Sequence, residues 1–77
     1  MSFNRKLKGG ITMIVKRYTT SMEFVMNVTF KTTEEELESV YNISKENIKK
    51  LIDTGKIVES RPWGMNGTNI ITELIEY

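Results

Sequence analysis

Thr33 to Gly55, TEEELESVYNISKENIKKLIDTG, is the stretch on which the fold turns. Its apolar residues Leu37, Val40, Tyr41, Ile43, Ile48, Leu51 and Ile52 recur at spacings of three, four and seven, the period of a helix and not of a strand. The stretch therefore predicts two short helices, each with one face turned to a core. Thr33 and Glu36 form a capping box for the first helix, with Glu34 and Glu35 where the helix dipole favours acids. Ser44 opens the second helix and Gly55 closes it. Tyr41-Asn42-Ile43 is too short for anything but a sharp corner, and Asn42 tolerates positive φ there. Two helices meeting at such a corner predict a helix-turn-helix; a plain helix pair covering a sheet has the same apolar pattern.

The chain on either side is β-prone. Ile11 to Tyr18 is rich in β-branched residues, and Phe24, Met26, Val28 and Phe30 alternate with Val25, Asn27 and Thr29. We expect strands at 11–18 and 23–30 joined around 19–22, with Phe24, Met26, Val28 and Phe30 facing inward; a short helix from Ser21 to Val28 is the alternative. After Gly55, Lys56 to Arg61 and Thr68 to Thr72 flank Pro62-Trp63-Gly64-Met65-Asn66-Gly67, the pattern of a β-hairpin with a long tip. A hairpin directly after a second helix reads as a wing. Arg61 and Trp63 near its tip suggest binding, although Trp63 could equally fold back onto a small core.

The expected fold is thus α+β, a small winged-helix-like domain over 11–77 in the order ββααββ. Residues 1–10 end in Gly9-Gly10 and read as a flexible basic tail.

Composition narrows the function. Seventy-seven residues support one modest core, and with neither cysteine nor histidine the chain lacks thiolate, imidazole and the usual zinc chemistry. No catalytic constellation, phosphate loop or calcium-loop spacing is present, so we expect no enzyme activity, no metal and no cofactor. No apolar run approaches the ~18 residues that span a bilayer, and the polar start MSFNRKLKGG is unlike a signal peptide, which points to a cytoplasmic protein. The net charge of +1 is unevenly spread. Arg5, Lys6, Lys8, Lys16 and Arg17 face no acid before residue 21, and six bases meet ten acids after it. A basic arm of this kind is either phosphate-seeking or merely solubilising.

Glu35 to Ile52, with Gly55-Lys56-Ile57 after it, resembles the helix-turn-helix and wing start of the excisionase and MerR-like winged-helix group. There an Ile-Ser or Val-Ser step opens the recognition helix and a Gly-Lys-aliphatic step leads into the wing. The likeness spans roughly residues 33–72; Glu38 stands where the group has a small residue and Asn42 where it has glycine. The resemblance implies a small phage-type regulator or recombination accessory factor that binds double-stranded DNA, with Ser44, Lys45, Asn47, Lys49 and Lys50 offered to the major groove and Arg61 to the backbone or minor groove. In such a complex Asn47 would pair with an adenine edge and Lys45 or Lys50 with guanine acceptors.

The second reading is an inhibitor or adaptor, of the kind a phage directs at a host protein, acting in the host cytoplasm. It would occlude its target through the acidic residues Glu34, Glu35 and Glu38 and through Trp63 and Met65 on the hairpin. A homodimer paired through exposed strand edges is the third.

Overall fold

The computed structural model describes residues 11–77, so the expected tail, residues 1–10, lies outside the described residues. Met13, Val15 and Arg17 alternate with Ile14, Lys16 and Tyr18, and this period-two pattern forms β1 (Thr12–Thr19) with the first set on the inner face. β2 (Asn27–Thr33) runs back beside it in the register Met13↔Thr32, Val15↔Phe30 and Arg17↔Val28.

Thr33 ends β2 and caps α1 (Glu34–Ser39) at once: its side chain accepts from the Glu36 N–H while the Glu36 carboxylate accepts from the Thr33 N–H. The chain then turns at Asn42 with φ 57°. Ser44 caps α2 (Lys45–Thr54) by accepting from the Asn47 N–H. Gly55, at φ 89°, stops α2 in the left-handed conformation and releases the chain into β3 (Lys56–Arg61). β4 (Thr68–Glu76) returns antiparallel, pairing Ile57↔Thr72, Glu59↔Ile70 and Arg61↔Thr68.

The winged-helix arrangement expected from the sequence is not what forms. β4 also pairs with β1, through Val15↔Leu74, Arg17↔Thr72 and Thr19↔Ile70, so the two hairpins fuse into one antiparallel sheet of order β2-β1-β4-β3. The presumed wing is half of that sheet, with β4 an interior strand. The molecule is an α+β domain in which two helices lie on a four-stranded sheet. Leu37, Ile43, Ile48 and Leu51 pack on Met13, Val15 and Ile57, with Phe30, Tyr41, Ile52 and Leu74 at the margin. Full burial of a residue such as Leu37 or Leu51 contributes about 1.5–3 kcal/mol.

A second correction concerns β2, which begins at Asn27 and not at residue 23, with no helix in its place. The Ser21 hydroxyl accepts from the Glu23 and Phe24 N–H groups, and Thr19 bonds across to Met26, so residues 20–26 close as a loop before pairing begins. Phe24 is consequently an exposed loop residue, Val28 is exposed, and only Phe30 packs on the core. β4 runs on beyond Thr72 to Glu76 because Glu73 to Glu76 pair with β1 across a bulge between Ile14 and Val15.

Candidate functional site

The helices cover only one end of the inner face of the sheet. The other end is where the β1–β2 loop and the β3–β4 tip meet. Strands β1 and β3 both finish there, and the two loops are joined by contacts far apart in sequence. The Glu23 Oε1 accepts the Met65 N–H at 3.3 Å, the Thr20 N–H donates to the Asn69 carbonyl at 3.1 Å, and the Phe24 and Trp63 rings sit 6.1 Å apart, tilted at 52°. Gly64 makes the approach possible: at φ 82° it has no side chain where the Glu23 carboxylate lies.

Five apolar side chains are presented together on this end. Met22 and Met65 are each 93% exposed, Val25 79%, Phe24 45% and Trp63 41%. Within residues 20–26 and 62–67, Glu23 is the only charged residue, in a chain of which 27% is charged. Trp63 neither folds into the core nor stands free; it leans on Phe24.

Beneath the tips lies a polar cluster. Arg17, Glu59 and Arg61 occupy inward positions of β1 and β3, and Arg17 and Glu59 are buried. One Glu59 oxygen meets the Arg17 Nη2 and the other the Arg61 Nη2, each at 3.4 Å. Arg17 also donates from Nε to the Thr72 hydroxyl at 3.2 Å, and its guanidinium carbon sits 5.4 Å from the Tyr41 ring centre. Burial pulls the Arg17 pKa below its ordinary value, Glu59 opposes that shift and Arg61 adds to it.

The residues offered to DNA divide between places. Ser44, Lys45, Lys49 and Lys50 are exposed on or at the start of α2, and Asn47 is half-buried. Lys45 and Lys49 line a groove of about 410 Å³ together with Glu34, Glu35, Glu38 and Asp53, so acids outnumber bases on that surface. Arg61 lies at the far end of β3 from α2, ~17 Å along the strand, with its Nη2 against Glu59.

The residues offered to a protein divide as well. Trp63 and Met65 stand on the tip, whereas Glu34, Glu35 and Glu38 belong to α1 at the opposite end of β2. Glu34 already accepts the Tyr77 hydroxyl at 2.9 Å, a bond that raises the tyrosine pKa. Among the described residues the outer edges of β2 and β3 have no strand partner.

Sequence reasoning missed Met22, Phe24 and Val25 as binding residues and the Arg17–Glu59 pair altogether. A signal for the pair was present: in Met13-Val15-Arg17 and Ile57-Glu59-Arg61 the charged residues continue the inward phase. Among the described residues no cluster of three or more potential metal ligands forms, and no helix is long and apolar enough to cross a membrane. No family of known proteins matches the chain, and neither a curated protein nor a solved structure gives a match.

Proposed function

We propose that this chain is a non-enzymatic cytoplasmic protein that docks on a partner protein through its joined hairpin tips and occludes the surface it covers. The supporting observation is the uncharged cap of Met22, Phe24, Val25, Trp63 and Met65 at one end of the sheet. Large apolar side chains held out in water by a hydrogen-bonded scaffold are costly unless something covers them, and aromatic residues with methionine are enriched where proteins bind. Methionine adapts to an irregular recess, while the tilted Phe24–Trp63 pair supplies a rigid anchor. The complementary partner surface is an apolar recess. With a single carboxylate on the cap, the attraction owes little to charge.

Duplex DNA, the partner implied by the resemblance, suits this geometry less well. Its reading head requires Lys45, Lys49, Lys50 and Arg61 on one face, but the first two share their groove with four carboxylates and Arg61 lies at the far end of β3 from α2.

The test is affinity capture from a nuclease-treated cell extract, followed by calorimetry with the purified captured protein. The Met22→Ser/Met65→Ser variant, altered only at exposed positions, keeps the stability of the parent within about 0.5 kcal/mol. It should lose about 2 kcal/mol or more of binding. A Lys45→Ala/Lys49→Ala/Lys50→Ala variant should bind as the parent does. Capture that disappears with nuclease, or binding indifferent to the methionine changes, rejects the proposal.

A further inference from the structure

Between the polar cluster and the tips the inner face holds a half-open cavity of about 310 Å³, at the small end of the ~300–1,000 Å³ range of ligand pockets. Its cations are Arg17 and Arg61, and its flat or apolar walls include Tyr41, Trp63, Met26 and Ile70. The corner between the helices closes one side and the β3–β4 tip the other.

The charge here does not balance. Two guanidinium groups share one carboxylate, and both contacts are 3.4 Å, long beside the ~2.7–2.9 Å of a well-formed charged hydrogen bond. Among the described residues no acid lines the cavity, Glu59 lying behind the two arginines. Each arginine carries five N–H donors. Among the described residues Arg17 uses Nε and Nη2 on side-chain acceptors, and Arg61 spends Nη1 on the carbonyl of its neighbour Ser60. A buried guanidinium with donors to spare, in a site one negative charge short, is a receptor for an anion. Guanidinium donors match the oxygens of a carboxylate or phosphate, and the Trp63 ring, with the edge of a Tyr41 ring that already stacks on Phe30 and meets Arg17, suits a flat body attached to that anion.

We infer that this cavity is a binding site for an oxyanion, a carboxylate or phosphate carried on a small planar group, held by Arg17 and Arg61 with its ring against Tyr41 and Trp63. The site shares Trp63 with the docking cap but neither Met22 nor Met65, and its anion would be held by Arg17 and Arg61, so it does not rest on the docking reading.

The chain has one tryptophan and it lines the cavity, so its fluorescence reports on the site directly. The full chain is titrated with benzoate, with phenyl phosphate and with the neutral benzamide at matched ionic strength, and the backbone and arginine Nε–H signals are followed in parallel by NMR. At least one of the two anions should saturate near 1 mM or tighter, at least about tenfold below benzamide, and move the Arg17, Arg61 and Trp63 signals together. A preference for phenyl phosphate assigns a phosphoryl ligand and a preference for benzoate a carboxylate; either supports the site. Arg61→Gln, checked for folding by circular dichroism, should weaken the anion about tenfold or more while leaving benzamide unchanged. The NMR map of the parent chain decides the matter even if that variant does not fold. Anions that perturb no more than benzamide does, shifts that fall elsewhere on the chain, or an Arg61→Gln variant that binds them undiminished would overturn the inference.

Discussion

At the residue scale, the feature that most distinguishes this domain is the Arg17–Glu59–Arg61 cluster. Removing the one carboxylate leaves Arg17 buried without a counter-charge, so Glu59→Ala should cost on the order of 3 kcal/mol in urea unfolding. A loss below about 1 kcal/mol would show that Arg17 reaches water more easily than the structure implies. Tyr18 offers a pH-dependent prediction on the opposite face. Its hydroxyl donates to Glu73 at 2.7 Å, and that bond raises its pKa above the ordinary 10.0. A tyrosine pKa that is higher folded than unfolded stabilises the fold fully below the unfolded value, and the benefit is lost as pH rises through the folded one. Ultraviolet titration should therefore show two tyrosines ionising late, Tyr18 and Tyr77, and only one of them in Tyr18→Phe. Titration at the ordinary value would mean that the hydrogen bond does not form in solution.

At the element scale, the parts of the fold legible in the sequence are those whose causes are local. The Thr33 and Ser44 caps, the Asn42 corner and the Gly55 stop all act within a few residues, so α1, α2 and the start of β3 follow from the string alone. The beginning of β2 was not legible in that way. Phe24 to Phe30 alternates throughout, and a period-two pattern cannot say where pairing starts; the Ser21 hydroxyl and the Thr19–Met26 bonds decide it. The joined tips have an equally specific dependence. At Gly55 a Cβ would meet nothing within 4 Å, so Gly55→Ala should cost only the left-handed backbone penalty, ~1–2 kcal/mol. At Gly64 the same penalty applies and the new methyl also displaces Glu23 from the Met65 N–H. Gly64→Ala should therefore separate the loops and weaken the Phe24–Trp63 contact, seen as loss of their ring-to-ring NOEs. Gly55→Ala should leave those NOEs intact. Equal effects from both changes would show that Glu23 is not what holds the tips together.

At the scale of the whole molecule, the decisive event is the pairing of β1 with β4, residues about 55 apart in sequence. Each hairpin is equally well specified by its own residues whether it stands free as a wing or joins a sheet, so no local pattern tells these outcomes apart. Once the sheet forms, much follows. The tips of both hairpins fall at one end, and α1 with its acids falls at the other. Arg61 comes into line with Glu59 and Arg17. The residues grouped by the sequence reading as one DNA-reading set, or as one protein-binding set, are separated by this topology. The apolar tip is half visible in the sequence, through Trp63 and Met65, and is completed by a loop, residues 20–26, whose second half has the alternation of a strand.

The proposed docking assigns binding to the tips and not to α2. The most direct test is an NMR titration of the labelled chain with random duplex DNA at about 50 and then 200 mM salt, where phosphate binding would weaken steeply. The expected result is that the amides of residues 44–50 stay unmoved at both concentrations, while the captured protein partner shifts residues 20–26 and 62–67. Saturable DNA-induced shifts across residues 44–50 that fade at the higher salt would contradict the account and return α2 to the role its sequence suggests.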